Sequence, residues 1–190
     1  MKVFEVIVDG DACQRFEQED KSSAALHDPM YKFDGTPKAD KWRPLSVYIP
    51  NPKRPRPDFF ASFLGSFVLD PERMPPEIWE FTDMAGELLP HPFEGKQFEL
   101  MNILDVVNCA DAGKSIWLPL SDGRRLMQRP AFHADRFGES SIFKIPELPY
   151  RPLCYEGLKS REDEFKTFVE DNHLTGLKFR EIWSDENRTQ

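Results

Sequence analysis

The residues best suited to nucleophilic or metal chemistry in this 190-residue chain are four histidines and three cysteines. His27, His91, His133 and His173 are scattered along it. Only His133 and Asp135 have a spacing that would put two functional groups on one face of an extended segment, because alternate side chains of a strand point the same way. Such a pair could start a metal site, but two ligands are not the four that zinc takes. Cys13, Cys109 and Cys154 are too far apart for a zinc knuckle or a redox pair. Cys109 closes an apolar run (Ile103, Leu104, Val106, Val107) and reads as a small buried hydrophobe. Ser66 follows Gly65 directly, without the Gly-x-Ser-x-Gly elbow of a hydrolase, and no glycine-rich phosphate loop occurs. The sequence therefore names no catalytic residue, no cofactor-binding residue and no metal ligand.

The acidic residues suggest binding instead. Glu17, Glu19 and Asp20 follow Asp9 and Asp11 in a polar stretch that could face a basic protein. Glu162, Asp163 and Glu164 sit where a helix begins, complementing its dipole, and could equally meet an arginine-rich surface. Acids outnumber bases 33 to 25, for a net charge of −8. That balance argues against nucleic acid, whose binding requires a basic face to displace counterions. Lys53, Arg54 and Arg56 alternate with Pro52, Pro55 and Pro57 in what reads as an exposed connection. Trp42, Trp79, Trp117 and Trp183 each lie in an apolar context and read as core before interface anchors.

These groups must be positioned by short elements, since 16 Phe beside 17 Pro favour strands and structured loops. Strands are expected over Val3–Val8, Leu45–Ile49, Ser66–Leu69, Gln97–Cys109, Ser115–Leu120, Ser140–Pro146 and Leu177–Trp183, with a hairpin turn at Asp122-Gly123. Helices are expected over 77–87, from the spacing of Ile78, Phe81, Ala85 and Leu88, and over 160–172, opened by Ser160 with Asp163 and supported by a Glu162–Lys166 pair. A shorter helix is expected near Ser22–Leu26, and the tail after Ser184 reads as frayed. The fold class is α+β, mainly antiparallel sheet with two principal helices. The length fits a single domain, 1–190, with a seam near 90–96 if Pro90, Pro92 and Gly95 divide it into two subdomains. The opening residues carry acids where a signal peptide would be apolar, and no segment has the roughly 20 apolar residues of a membrane helix. A cytoplasmic protein with no membrane partner is the expectation.

Three stretches carry a family resemblance. They are Leu88-Leu89-Pro90 followed by Phe98 to Asp111, then Ser141 to Ile145, and finally Leu174 to Trp183. Over roughly residues 60–184 the chain resembles immunity family eleven of bacterial polymorphic-toxin systems, earlier catalogued as a domain of unknown function. In that family a Leu-Leu-Pro turn precedes a strand that runs into an asparagine-centred apolar run and a cysteine–aspartate corner. The resemblance implies a partner, a cognate toxin protein, which this chain would bind and neutralise; with no signal peptide read in the sequence, that toxin is expected to act in the cytosol. It names neither the toxin nor an oligomeric state. By analogy, the contact would fall on the poorly matched N-terminal acids Glu17, Glu19 and Asp20. Two other readings follow from the residues: a small enzyme built around His133 and Asp135, and an adaptor domain of a secretion apparatus.

Overall fold

In the computed structural model, residues 1–20, 22 and 28–185 are described. Their strands are β1 (Lys2–Val8), β2 (Glu17–Gln18), β3 (Val47–Tyr48), β4 (Phe59–Ala61), β5 (Ser66–Leu69), β6 (Gly86–Phe93) and β7 (Lys96–Ile103). After these come β8 (Ile116–Pro119), β9 (Arg125–Arg129), β10 (Ile142–Phe143), β11 (Leu153–Glu156) and β12 (Leu177–Ser184). Two α-helices, α1 (Ile78–Ala85) and α2 (Phe165–Asp171), complete an α+β fold. Every strand pair within the four sheets is antiparallel. The sheet orders are β10-β11-β1-β12, β4-β5-β7-β6, β2-β3 and β8-β9.

Strand β1 is central in the first sheet, hydrogen-bonded on both edges, and its two faces meet different core clusters. Phe4 and Val6 enter one core cluster and Val3 another, as a two-residue period dictates. The second sheet is sided in the same way. Phe59, Phe67, Leu69 and Met101 join the first cluster, whereas Phe60, Val68, Phe98 and Leu100 enter a third. Phe165, the first residue of α2, packs at the centre of the first cluster, with Phe59, Phe67, Phe81 and Phe179 at ring separations of 5.9–6.4 Å.

Several expectations are corrected. The 77–87 helix stops at Ala85, and the chain enters β6 at once. Pro90 and Pro92 therefore lie in a strand, and Leu88-Leu89-Pro90 is not a turn. Both prolines are tolerated because β6 is the edge strand, where missing N–H groups two residues apart face away from the ladder. The supposed seam at 90–96 is the end of the β6–β7 hairpin, turning through Glu94 (φ 48°) and Gly95 (φ 76°) with Phe93 paired to Lys96, so the chain stays in one sheet there. The 160–172 helix is interrupted. Arg161–Asp163 is a 3₁₀ turn, Glu164 is extended at φ −103° and ψ 115°, and α2 starts after it. The Ser160 hydroxyl caps no backbone N–H and instead donates to the Asp163 carboxylate. Lys166 pairs with Glu170 (2.8 Å) and Glu156 (3.3 Å), not with Glu162. The hairpin at Asp122-Gly123 is present, joining β8 to β9. The helix expected near Ser22–Leu26 falls on residues 23–26, outside those described, as does the tail from 186 onward.

Candidate functional site

Strands β2 and β3 form a two-stranded flap beside the tip of the β6–β7 hairpin. A cleft of 760 Å³ opens there, lined by Glu19, Tyr48, Arg56, Phe60, Phe93 and Lys96 among others. Its base is aromatic. Phe60 stacks on Phe16 at 4.9 Å and meets Phe98 edge-on at 5.5 Å, and both lining rings are almost fully buried. The Arg56 guanidinium sits 5.6 Å above the Phe98 ring and is ion-paired with the buried Asp70 carboxylate. Lys96 pairs with Glu72 at 2.6 Å. The two cations in the cleft are thus already neutralised by partners.

The acids singled out from the sequence are placed differently from one another. Glu17 is half-buried; its carboxylate accepts from Arg15 at 2.7 Å and from the Tyr48 hydroxyl at 2.9 Å. Glu19 is exposed on the cleft wall, held by its backbone N–H to the Ser46 carbonyl at 3.0 Å. Asp20 is exposed, and the Ser22 backbone N–H donated to it holds its carboxyl below the usual carboxylate range. Glu162 and Asp163 are exposed beside α2, on a different sheet's surroundings. Glu164 is corrected outright. It is 3% exposed, and one carboxylate oxygen accepts the N–H groups of Gly157 (2.6 Å), Leu158 (2.9 Å) and Lys159 (3.1 Å). It ties down a turn and offers nothing to a partner.

Several of the groups that could react are committed elsewhere. His133 caps the 3₁₀ turn Ala134–Arg136 and shares no strand face with Asp135. Its Nε2 lies 4.0 Å from Asp111, whose carboxylate also takes the Gly113 and Lys114 N–H groups; the Lys114 side chain is the main cause that holds it well below its ordinary pKa. Ser115 next to it donates to the Asp111 carbonyl at 2.7 Å and accepts from the Ala131 N–H at 2.9 Å, which leaves its hydroxyl proton on the backbone. Burial pushes the Cys109 thiol up to about 12, far from the thiolate a nucleophile needs. His91 is wholly buried between Phe16 and Phe63, with neither ring nitrogen hydrogen-bonded, and burial lowers it to about 4. Among the described residues no group of three or more His, Cys, Asp or Glu could hold a metal ion. In that same set no helix is long and apolar enough to cross a membrane.

The sequence missed the cleft because its base is assembled from Phe16, Phe60 and Phe98, on β4, β7 and the segment before β2, and pattern alone does not pair such distant segments. The tryptophans are all partly buried against core clusters; Trp42 also donates to the Pro90 carbonyl at 2.8 Å. No protein-family model matches this chain, and no curated protein matches it either.

Proposed function

We propose that this chain is a binding protein that neutralises a cognate bacterial toxin in the cytosol, with part of the toxin seated against the β2–β3 cleft. The observation that carries the binding reading is that cleft, an aromatic-floored opening with Glu19 on its wall and Asp20 next in sequence. Tyr48 and Phe93, the partly exposed aromatics of its lining, have few rotatable bonds and give contact area at low entropic cost, which is how interface hot spots are built. With Arg56 and Lys96 already paired, the exposed carboxylates set the local sign, and a basic partner segment complements them. That the partner is a toxin rests on the resemblance carried by residues 88–111, 141–145 and 174–183 alone. The commitment of Ser115, Cys109 and His91 to backbone or core supports binding over chemistry.

The test is co-expression with the toxin encoded beside this gene, followed by stopped-flow association of the purified pair. Rescue of growth is expected. Glu19→Lys with Asp20→Lys should slow association about tenfold at low salt, and the difference should fade as salt rises. Failure to rescue from any neighbouring toxin removes the toxin reading, and rescue with unaltered association in the variant removes the cleft as the contact.

A further inference from the structure

We infer that the outer edge of β12 is a docking site for an extended segment of a partner protein, which adds there as an antiparallel strand. The two large sheets end in β10, β12, β4 and β6, and the fold covers every one of these edges but β12. Edge strand β10 is only two residues long, and residues 105–107 run beside its end. There the Lys144 N–H donates to the Asp105 carbonyl and the Val107 N–H to the Lys144 carbonyl, both at 2.8 Å. Along β4 lies the segment before β2, with the Phe16 N–H donating to the Ala61 carbonyl at 2.8 Å. On β6, Pro90 and Pro92 offer no N–H, and the Trp42 indole takes the Pro90 carbonyl at 2.8 Å. Strand β12 has none of these devices. It is eight residues long, Leu177–Ser184, without proline or glycine, and such an edge is a template for another strand.

The ladder to β1 says which groups are open. The Asp9 N–H donates to the Gly176 carbonyl at 2.8 Å, and the same register pairs Ile7 with Lys178 and Glu5 with Arg180. Hydrogen-bonded pairs alternate along an antiparallel ladder. Lys178 and Arg180 therefore direct their backbone groups to β1, and Leu177, Phe179 and Glu181 direct theirs outward. Among the described residues no backbone group or side chain takes those outward N–H and C=O groups.

The side chains define what fits. Leu177 and Phe179 are half-buried against the first core cluster, and apolar side chains opposite them would extend it. Lys178 and Arg180 are exposed on the other face. Lys178 is matched by Asp9 at 2.8 Å, but the single Glu5 carboxylate serves both Arg151 and Arg180, which leaves a positive charge in excess. A strand alternating apolar and acidic residues complements both faces. A second copy does not. A two-fold axis normal to the sheet sets residues of like parity opposite each other. Registers centred on Lys178, Phe179 or Arg180 would then oppose cation to cation, and one centred on Glu181 would oppose two glutamates. No residue of this edge lines the cleft, so the inference stands apart from the toxin reading.

The probe is a short fluorescein-labelled peptide alternating valine and glutamate, read by anisotropy and by amide hydrogen exchange of the protein. In the free protein the Lys178 and Arg180 amides should exchange slowly and those of Leu177, Phe179 and Glu181 fast. Saturable binding that protects Leu177, Phe179 and Glu181 is expected. Methylating the peptide's valine nitrogens, which would face β12, should weaken binding about tenfold or more, whereas methylating its glutamate nitrogens should not. Glu181→Pro removes an outward N–H while leaving the β1 ladder intact, and should weaken binding to a similar degree. The methylated peptides keep the test decisive if that variant fails to fold. No binding, slow exchange of the outward amides in the free protein, or protection elsewhere would each overturn the inference. So would equal binding of both methylated peptides, equal binding of a valine–lysine peptide, or a wild-type dimer in sedimentation that Glu181→Pro abolishes.

Discussion

Lys144 is fully buried, and its ammonium donates to the Phe33 carbonyl at 2.6 Å. That bond fastens the segment before β3 onto β10's neighbour, but among the described residues no carboxylate hydrogen-bonds the charge. Burial lowers the group from the usual 10.5 to about 8, partly countered by Asp34 and reinforced by Lys38. The unfolded chain then holds this proton up to 10.5, whereas the fold releases it near 8. Between those limits unfolding takes up a proton, so raising the pH makes unfolding harder. The gap corresponds to at most about 3 kcal/mol at about 1.4 kcal/mol per pH unit. Lys144→Met removes the charge and also leaves the Phe33 carbonyl without its donor, at about 1–3 kcal/mol. At neutral pH the two effects nearly offset each other. The decisive quantity is therefore the stability of wild type minus that of Lys144→Met, from urea unfolding at a series of pH values. It should be flat below about pH 8 and rise by up to about 3 kcal/mol by about pH 10.5. Burial pushes Cys109 and Tyr155 up to about 12, and these groups lower stability at alkaline pH in both proteins, so they cancel in the difference. A difference that stays level across this window, or falls, refutes the claim that the ammonium is desolvated.

Two further outcomes follow from groups just as deeply placed. His91→Leu should raise neutral-pH stability by about 1–3 kcal/mol, because two buried ring nitrogens lose nothing on replacement by an apolar group. It should also remove the acid sensitivity due to this ring: the unfolded chain takes a proton below 6.5, the fold only near 4, so wild type loses stability as pH falls between them. Thermal unfolding at about pH 7 and about pH 4 checks both, and equal acid losses in the two proteins would rule the ring out. Glu164→Ala should cost about 3 kcal/mol, since three backbone N–H groups lose a charged acceptor, and Glu164→Gln should recover part of it. Urea midpoints measure this, and a loss under about 1 kcal/mol for Ala would mean that water satisfies those groups.

What could be read from the residues were the elements with a strong local cause. β1 is set by its β-branched run, α1 by the spacing of Ile78, Phe81 and Ala85, and the β8–β9 turn by Asp122-Gly123, whose glycine adopts φ 82°. The antiparallel α+β class followed from many short apolar segments divided by prolines. Tertiary structure decided what depends on residues far apart in the chain. Whether Pro90 and Pro92 end a unit or lie in an edge strand turns on which side of β7 lies open. Whether Glu164 is a surface acid or an internal acceptor turns on the three N–H groups of residues 157–159 coming to meet it. The cleft exists only because Phe16, Phe60 and Phe98 converge from separate strands and segments, and Lys144 is buried because Phe33, 111 residues earlier, offers a carbonyl. Local pattern records backbone preference and the period of burial, but not which distant segment supplies the other half of a contact, and binding surfaces are made from such halves.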